Sequence, residues 1–167
     1  MREGVSFKPT PDRGLTLIEL LVTLVILSIL AAAAVPYAEV TIRREKEVEL
    51  RRALRDVRGA IDAFHDDWKT GKVSKTSDAA SDDGYPKTLQ TLVDGAEAGD
   101  AKGGKRKYLR SVPRDPLADS SKPPKEQWVL RGYQDETDSI SWGGRDVYDI
   151  RSASEATALD GSRYKDW

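Results

Sequence analysis

The stretch Arg13-Gly14-Leu15-Thr16-Leu17-Ile18-Glu19-Leu20-Leu21-Val22-Thr23-Leu24-Val25-Ile26-Leu27-Ser28-Ile29-Leu30-Ala31-Ala32-Ala33-Ala34-Val35-Pro36 decides how the rest of the chain is read. Between Leu15 and Val35 only Thr16, Glu19, Thr23 and Ser28 are polar. As a helix these 21 residues extend roughly 30 Å, the thickness of a bilayer's hydrocarbon core. Residues 15–35 are therefore expected to form a single membrane-spanning helix. Arg2, Lys8 and Arg13 precede it, and Arg43, Arg44, Lys46, Arg51, Arg52 and Arg55 follow it. The later cations are mixed with Glu39, Glu45, Glu47 and Glu49, as on a folded helix surface, so a count of flanking cations does not set the orientation.

Glu19 is the one ionisable group inside the apolar run. A charged residue at the centre of such a helix costs about 2.5–3.5 kcal/mol on insertion scales, so a partner is expected. If the chain is cut after Gly14, Leu15 acquires an α-amino group that is cationic at neutral pH, one helical turn from Glu19 at the i, i+4 spacing. Thr16-Leu17-Ile18-Glu19 also has the form of a capping box, in which the side chains satisfy free amides at the helix start. The alanines 31–34 offer a further alternative, the small-residue site of an ordinary secretory signal, which would release a soluble domain.

Beyond the apolar run, Pro36 removes one helical hydrogen bond and predicts a kink or a local loosening. Leu50, Leu54, Val57, Ile61, Phe64 and Trp68 then recur at spacings of three and four, one apolar stripe of an amphipathic stem over 36–68. Glu47 with Arg51 and Arg58 with Asp62 are read as solvated i, i+4 pairs on its opposite face. A helix from Leu15 to Trp68 would be about 80 Å long, more than a domain of this size can cover. Its first half must pack in lipid or against copies of itself.

Residues 69–167 form the remaining globular part. Thr70–Gly84 and Gly95–Gly104 are rich in polar and small residues and read as exposed loops. Tyr85-Pro86 introduces a short helix carrying Leu89, Leu92 and Val93. Val112-Pro113-Arg114-Asp115-Pro116-Leu117 reads as extended, because its prolines disfavour helix. Gln127–Gly132 and Asp146–Ser152 are the strand candidates. The fold class expected is α+β: a long N-terminal helix on a small antiparallel sheet with loops, with Trp128, Trp142, Tyr148 and Trp167 as core or cover.

Composition narrows the function. Lys and Arg number 27 against 28 Asp and Glu, a formal charge of -1, so no basic excess points to nucleic acid. There is no cysteine, which removes disulfides and thiol chemistry. His65 is the single histidine, beside Asp66 and Asp67, and reads as a solvated surface residue rather than a general base. No enzymatic activity is expected; a small periplasmic enzyme or binding module is the alternative from another class.

The string Arg13-Gly14-Leu15-Thr16-Leu17-Ile18-Glu19 closely resembles the type III signal of type IV pilins and type II secretion pseudopilins. The resemblance implies a leader over 1–14, cut by prepilin peptidase between Gly14 and Leu15, and N-methylation of Leu15. It makes Leu15, Thr16 and Glu19 the assembly residues, with Glu19 neutralising a neighbouring subunit's amine. Leu15 stands where the family most often has phenylalanine, another large apolar residue.

Tyr85-Pro86, the Val112–Leu117 stretch and the terminal Asp166-Trp167 extend the resemblance to the major pseudopilin. Surface pilins usually close their C-terminal region with a disulfide, which this chain cannot form. The implied function is a structural subunit polymerising through its N-terminal helix into a periplasmic pseudopilus that helps drive protein export. The alternative is a type IV pilin of a surface fibre. The implied partners are further copies in a helical filament, the peptidase, minor pseudopilins and the inner-membrane secretion platform. The implied location is the inner membrane, single-pass, with the globular part in the periplasm. Major pseudopilins commonly hold calcium near the C-terminus. Glu155 and Asp160 are the candidate carboxylates here, but no cofactor is assigned, because Asp160-Gly161 also reads as a plain turn.

Overall fold

The computed structural model describes residues 14–99, 103–137, 139 and 141–167. The expected leader lies outside these residues except for Gly14. The chain divides into two compact units, one ending at Thr41 and one spanning Ile42–Trp167.

Helix α1, Leu17–Lys69, supplies the described body of the first unit and the spine of the second. Every described residue from Gly14 to Lys46 is exposed. This portion contains an 18-residue window of mean hydropathy 2.6, none of it buried. Length and apolarity are those of a membrane span, as expected.

The second unit contains the core. The α1 stripe packs as its spacing predicts: Leu50, Leu54, Val57, Ile61 and Phe64 are buried, with Ala53 and Ala60 beside them and Trp68 partly buried. Around it lie α2 (Leu89–Asp94), β1 (Ala96–Glu97), β2 (Lys105–Arg106), β3 (Trp128–Arg131) and β4 (Asp149–Ser152). Thr88 caps α2, its hydroxyl accepting from the Thr91 amide, and Leu89 and Leu92 turn into the core.

The strands form two antiparallel pairs, β1 with β2 and β3 with β4. In the second pair Trp128 faces Ser152 and Leu130 faces Ile150. The α+β class thus holds, with two two-stranded sheets where one was expected. Asp115, buried between the two prolines of its extended stretch, joins that stretch to β4. It accepts from the Ser152 hydroxyl at 2.7 Å and the Leu117 amide at 2.8 Å.

The two loops expected to be exposed are anchored instead. Val73, Ser77, Ala80 and Gly84 are buried within 70–84, and Gly95 and Ala96 are buried at the start of the second loop. Single small or apolar residues at such sites seal core edges without leaving a periodic signal. Gly84 has a φ of 82°, and a Cβ there would lie 2.6 Å from Trp68 Cδ2. Of the four aromatics, Trp128 is buried and Trp167 partly so, while Trp142 and Tyr148 lie at the surface.

Candidate assembly site

The N-terminal end of α1 is built by Thr16. Its hydroxyl accepts the Glu19 amide at 3.2 Å and its carbonyl accepts the Leu20 amide at 3.1 Å, which starts the helix. The Thr16 half of the expected capping box is thus present. The Glu19 carboxylate makes no hydrogen bond or ion pair among the described residues.

Gly14, Leu15 and Thr16 precede the first helical turn and are exposed, so the Gly14–Leu15 peptide bond lies in non-helical chain. A Cβ on Gly14 would meet nothing within 4 Å. The described part of the fold therefore gives no steric reason for glycine there. Leu15, Leu17, Ile18 and the apolar residues through Leu30 are all at least half exposed, apart from Val22 at 46%. The site accordingly combines an accessible peptide bond, a lone carboxylate and a bare apolar helix. Pro36 lies inside α1, which is helical on both sides of it. The lost donor leaves the Ala32 carbonyl without its usual partner.

In the second unit, a set of polar contacts from α1 to the C-terminal residues was not legible in the sequence. Glu47, expected in a solvated pair with Arg51, is 8% exposed. Its Oε1 accepts the Tyr164 hydroxyl at 2.9 Å and the Leu159 amide at 2.7 Å. Burial, with the acceptor Glu47 beside it, pushes the Tyr164 hydroxyl above its usual pKa.

Arg51 reaches Asp160 at 3.2 Å and lies over the Trp167 ring at 4.1 Å from its centroid. Arg58, expected to pair with Asp62, binds Asp149 at 2.7 Å and the carbonyls of Ile150 and Trp167. Local i, i+4 pairing loses here because the C-terminal chain brings better-placed acceptors to the same helix face.

His65 is corrected in the same way. Its ring stacks on Tyr85 at 4.0 Å between centroids, and Nδ1 lies 3.2 Å from the Gly84 carbonyl oxygen. It is a half-buried packing residue, not a solvated one.

The calcium candidates are separately engaged. Asp160 accepts the Ser162 amide at 2.9 Å and its hydroxyl at 2.6 Å besides meeting Arg51, while Gly161, at φ 87°, completes the turn. These donors hold the Asp160 carboxyl below its usual pKa. Glu155 is exposed. Among the described residues no group of three or more His, Asp or Glu side chains is placed to hold a metal ion. Asp135 closes the 132–143 loop by accepting the Gly132 and Gly143 amides, and these bonds lower its pKa.

Neither the curated proteins nor the solved structures gave a match. Residues 10–35 match the family described as the prokaryotic N-terminal methylation motif, a stretch that contains Gly14, Leu15, Thr16 and Glu19. The chain therefore carries the prepilin-type N-terminus of type IV pilin-like proteins, the signal of a pilus or pseudopilus subunit.

Proposed function

We propose that this chain is a structural subunit of a type II secretion pseudopilus. Prepilin peptidase cuts between Gly14 and Leu15, and the new Leu15 amine is methylated. The mature chain waits in the inner membrane with its C-terminal unit in the periplasm. It polymerises through residues 15–35 together with companion minor subunits on the inner-membrane secretion platform. Extension of the filament helps drive export, and the chain performs no catalysis of its own.

The observation that supports this most is the junction at Gly14–Leu15: exposed, outside α1, with a glycine the fold does not need, and followed by a bare apolar helix holding one carboxylate. During assembly Glu19 pairs with the Leu15 amine of a neighbour, which removes two charges from lipid together. The lack of any cysteine favours a pseudopilus over a disulfide-closed surface pilin.

The test is intact mass and N-terminal sequencing of the protein from its own membranes, beside cells lacking prepilin peptidase. A mature chain starting at Leu15, one methyl heavier, and an unprocessed chain in the mutant are expected. A start after the alanines near Ala34 would overturn the reading. Deleting the gene should abolish secretion and leave surface fibres intact; the reverse result identifies a surface pilin.

A further inference from the structure

The outward face of the β3–β4 pair carries an unbalanced cluster of cations. Side chains alternate along a strand, and Trp128, Ile150 and Ser152 turn into the core. Arg131, Asp149 and Arg151 therefore stand together on the opposite face, with Arg131 directly across from Asp149 in the register. Arg58 reaches Asp149 from α1, and Lys165 comes from the short 3-10 turn Tyr164–Asp166. These residues and Asp166 line one cleft of about 370 Å³. Arg58, Arg131, Arg151 and Lys165 thus meet two carboxylates, in a chain whose formal charge is -1.

Asp149 is shared between two of the cations. Its Oδ1 accepts Arg58 Nε at 2.7 Å and the Ile150 amide at 2.8 Å, and its Oδ2 accepts Arg131 Nη2 at 3.2 Å. One carboxylate cannot neutralise two guanidinium groups. Arg58 Nη2 donates further to the carbonyls of Ile150 and Trp167, and Arg151 Nη2 to the carbonyl of Ser139, acceptors that cancel no charge. Among the described residues, Arg131 Nε and Nη1, Arg151 Nε and Nη1 and Lys165 Nζ have no acceptor. The Arg131 side chain is only 21% exposed and lies over the Tyr148 ring at 5.2 Å, so its guanidinium is held in place without being neutralised.

We propose that this cleft binds a phosphate-type dianion, inorganic phosphate or the phosphomonoester end of a small molecule, on Arg131, Arg151 and Lys165 beside the Arg58–Asp149 pair. Two positive charges are in excess, so a dianion balances the cleft, whereas a single carboxylate leaves one charge over. Guanidinium forks match phosphate oxygens bidentately, and a tetrahedral group has enough oxygens to meet donors from three elements at once. The cleft is far larger than the roughly 30 Å³ share of one water, so a hydrated ion of this size fits. Bound there, the anion ties β3, β4 and the C-terminal turn together and stabilises the C-terminal unit by mass action. The inference is independent of the filament reading, because no residue of 15–35 takes part.

The test uses the full chain solubilised in neutral detergent. Sodium phosphate is titrated against sodium chloride at matched ionic strength, with calorimetry for binding and the denaturant midpoint for stability. Saturable binding of phosphate and a saturable rise of the midpoint are expected, with chloride giving neither. Lys165→Glu should weaken binding at least about tenfold, the loss of one charge-assisted bond, and leave stability without phosphate unchanged, since Lys165 holds no other described side chain. Lys87→Glu, a cation outside the cleft, should bind as the unaltered chain does. Glycerol 3-phosphate separates the two sources: binding as tight as inorganic phosphate or tighter assigns a phosphomonoester, and weaker binding assigns the free ion.

Equal effects of phosphate and chloride would overturn the inference, as would unchanged binding by Lys165→Glu or an equal loss in Lys87→Glu. A glutamate-rich peptide that binds at the cleft more tightly than phosphate would overturn it too, by assigning the site to protein carboxylates.

Discussion

Replacing Glu47 tests whether the stem is held to the C-terminal turn by a buried carboxylate. Glu47→Ala leaves the Tyr164 hydroxyl and the Leu159 amide, now 2.9 and 2.7 Å from Glu47 Oε1, without their acceptor. Tyr164 is 2% exposed, so water compensates its hydroxyl poorly. At about 1–3 kcal/mol for each stranded group, with partial relaxation at the more exposed Leu159, the expected loss is about 2–4 kcal/mol. Tyr164→Phe removes one donor and leaves the Leu159 bond, so about 1–2 kcal/mol is expected.

The double variant should fall short of the sum by about 1 kcal/mol, because both single changes break the same bond. Denaturant unfolding of the detergent-solubilised full chain, followed by tryptophan fluorescence, measures all three. Trp167, at 5.1 Å from the Tyr164 ring, reports the turn directly. Additivity within about 0.3–0.5 kcal/mol, or a loss below about 0.5 kcal/mol for Glu47→Ala, would refute the reasoning.

Further outcomes follow from single residues. Gly84→Ala should destabilise the C-terminal unit by about 1–3 kcal/mol, since it combines a left-handed backbone with a collision against Trp68; a change within about 0.5 kcal/mol in the same assay would contradict it. Asp67 is pushed up by desolvation, but Lys72, Tyr108 and Arg106 outweigh this and hold its pKa below the usual value. Its contribution is therefore complete above the ordinary carboxylate range and lost as pH falls through the lower folded value, so Asp67→Asn should flatten the acid limb of the stability profile. The Tyr108 hydroxyl, pushed up to about 12 by burial and by its bond to Asp67, should ionise in an ultraviolet titration only well above the ordinary tyrosine value of about 10. Finally, Gly14→Leu should block processing without altering stability, whereas Glu19→Gln should be processed and fail to polymerise; immunoblots for the leader and sheared-filament yields separate the two.

Much of the architecture was legible because it follows from periodicity. Leu50, Leu54, Val57, Ile61 and Phe64 announce a buried helix face by spacing alone, and they are the centre of the core. The short helix at Leu89 was legible for the same reason, and β3 and β4 from their bulky residues, whereas β1 falls in a stretch that reads as a loop and β2 leaves no signal. Anchors that occur singly were not: Val73, Ala80 and Ala96 have no repeating neighbours, so their burial leaves no pattern in the chain. His65 sits just outside the apolar stripe and is read as solvated until Tyr85 and Gly84 arrive from distant sequence to cover it.

The N-terminal site is local chemistry. Gly14, Leu15, Thr16, Glu19 and the apolar run stand within one short stretch that matches the N-terminal methylation motif, so the sequence by itself made them legible, together with a helix long and apolar enough to span a membrane and the α+β class. Only the tertiary structure decided where the charges of the stem go. Glu47 and Arg58 stand at spacings that suggest local pairs, yet Tyr164 and Asp149, more than ninety residues away, take them. A local pair on a solvated helix surface contributes a few tenths of a kcal/mol, about 0.2–0.5. A partner carried in by the folding of the core meets the same group where water is excluded and prevails, and no local spacing in the chain encodes that choice.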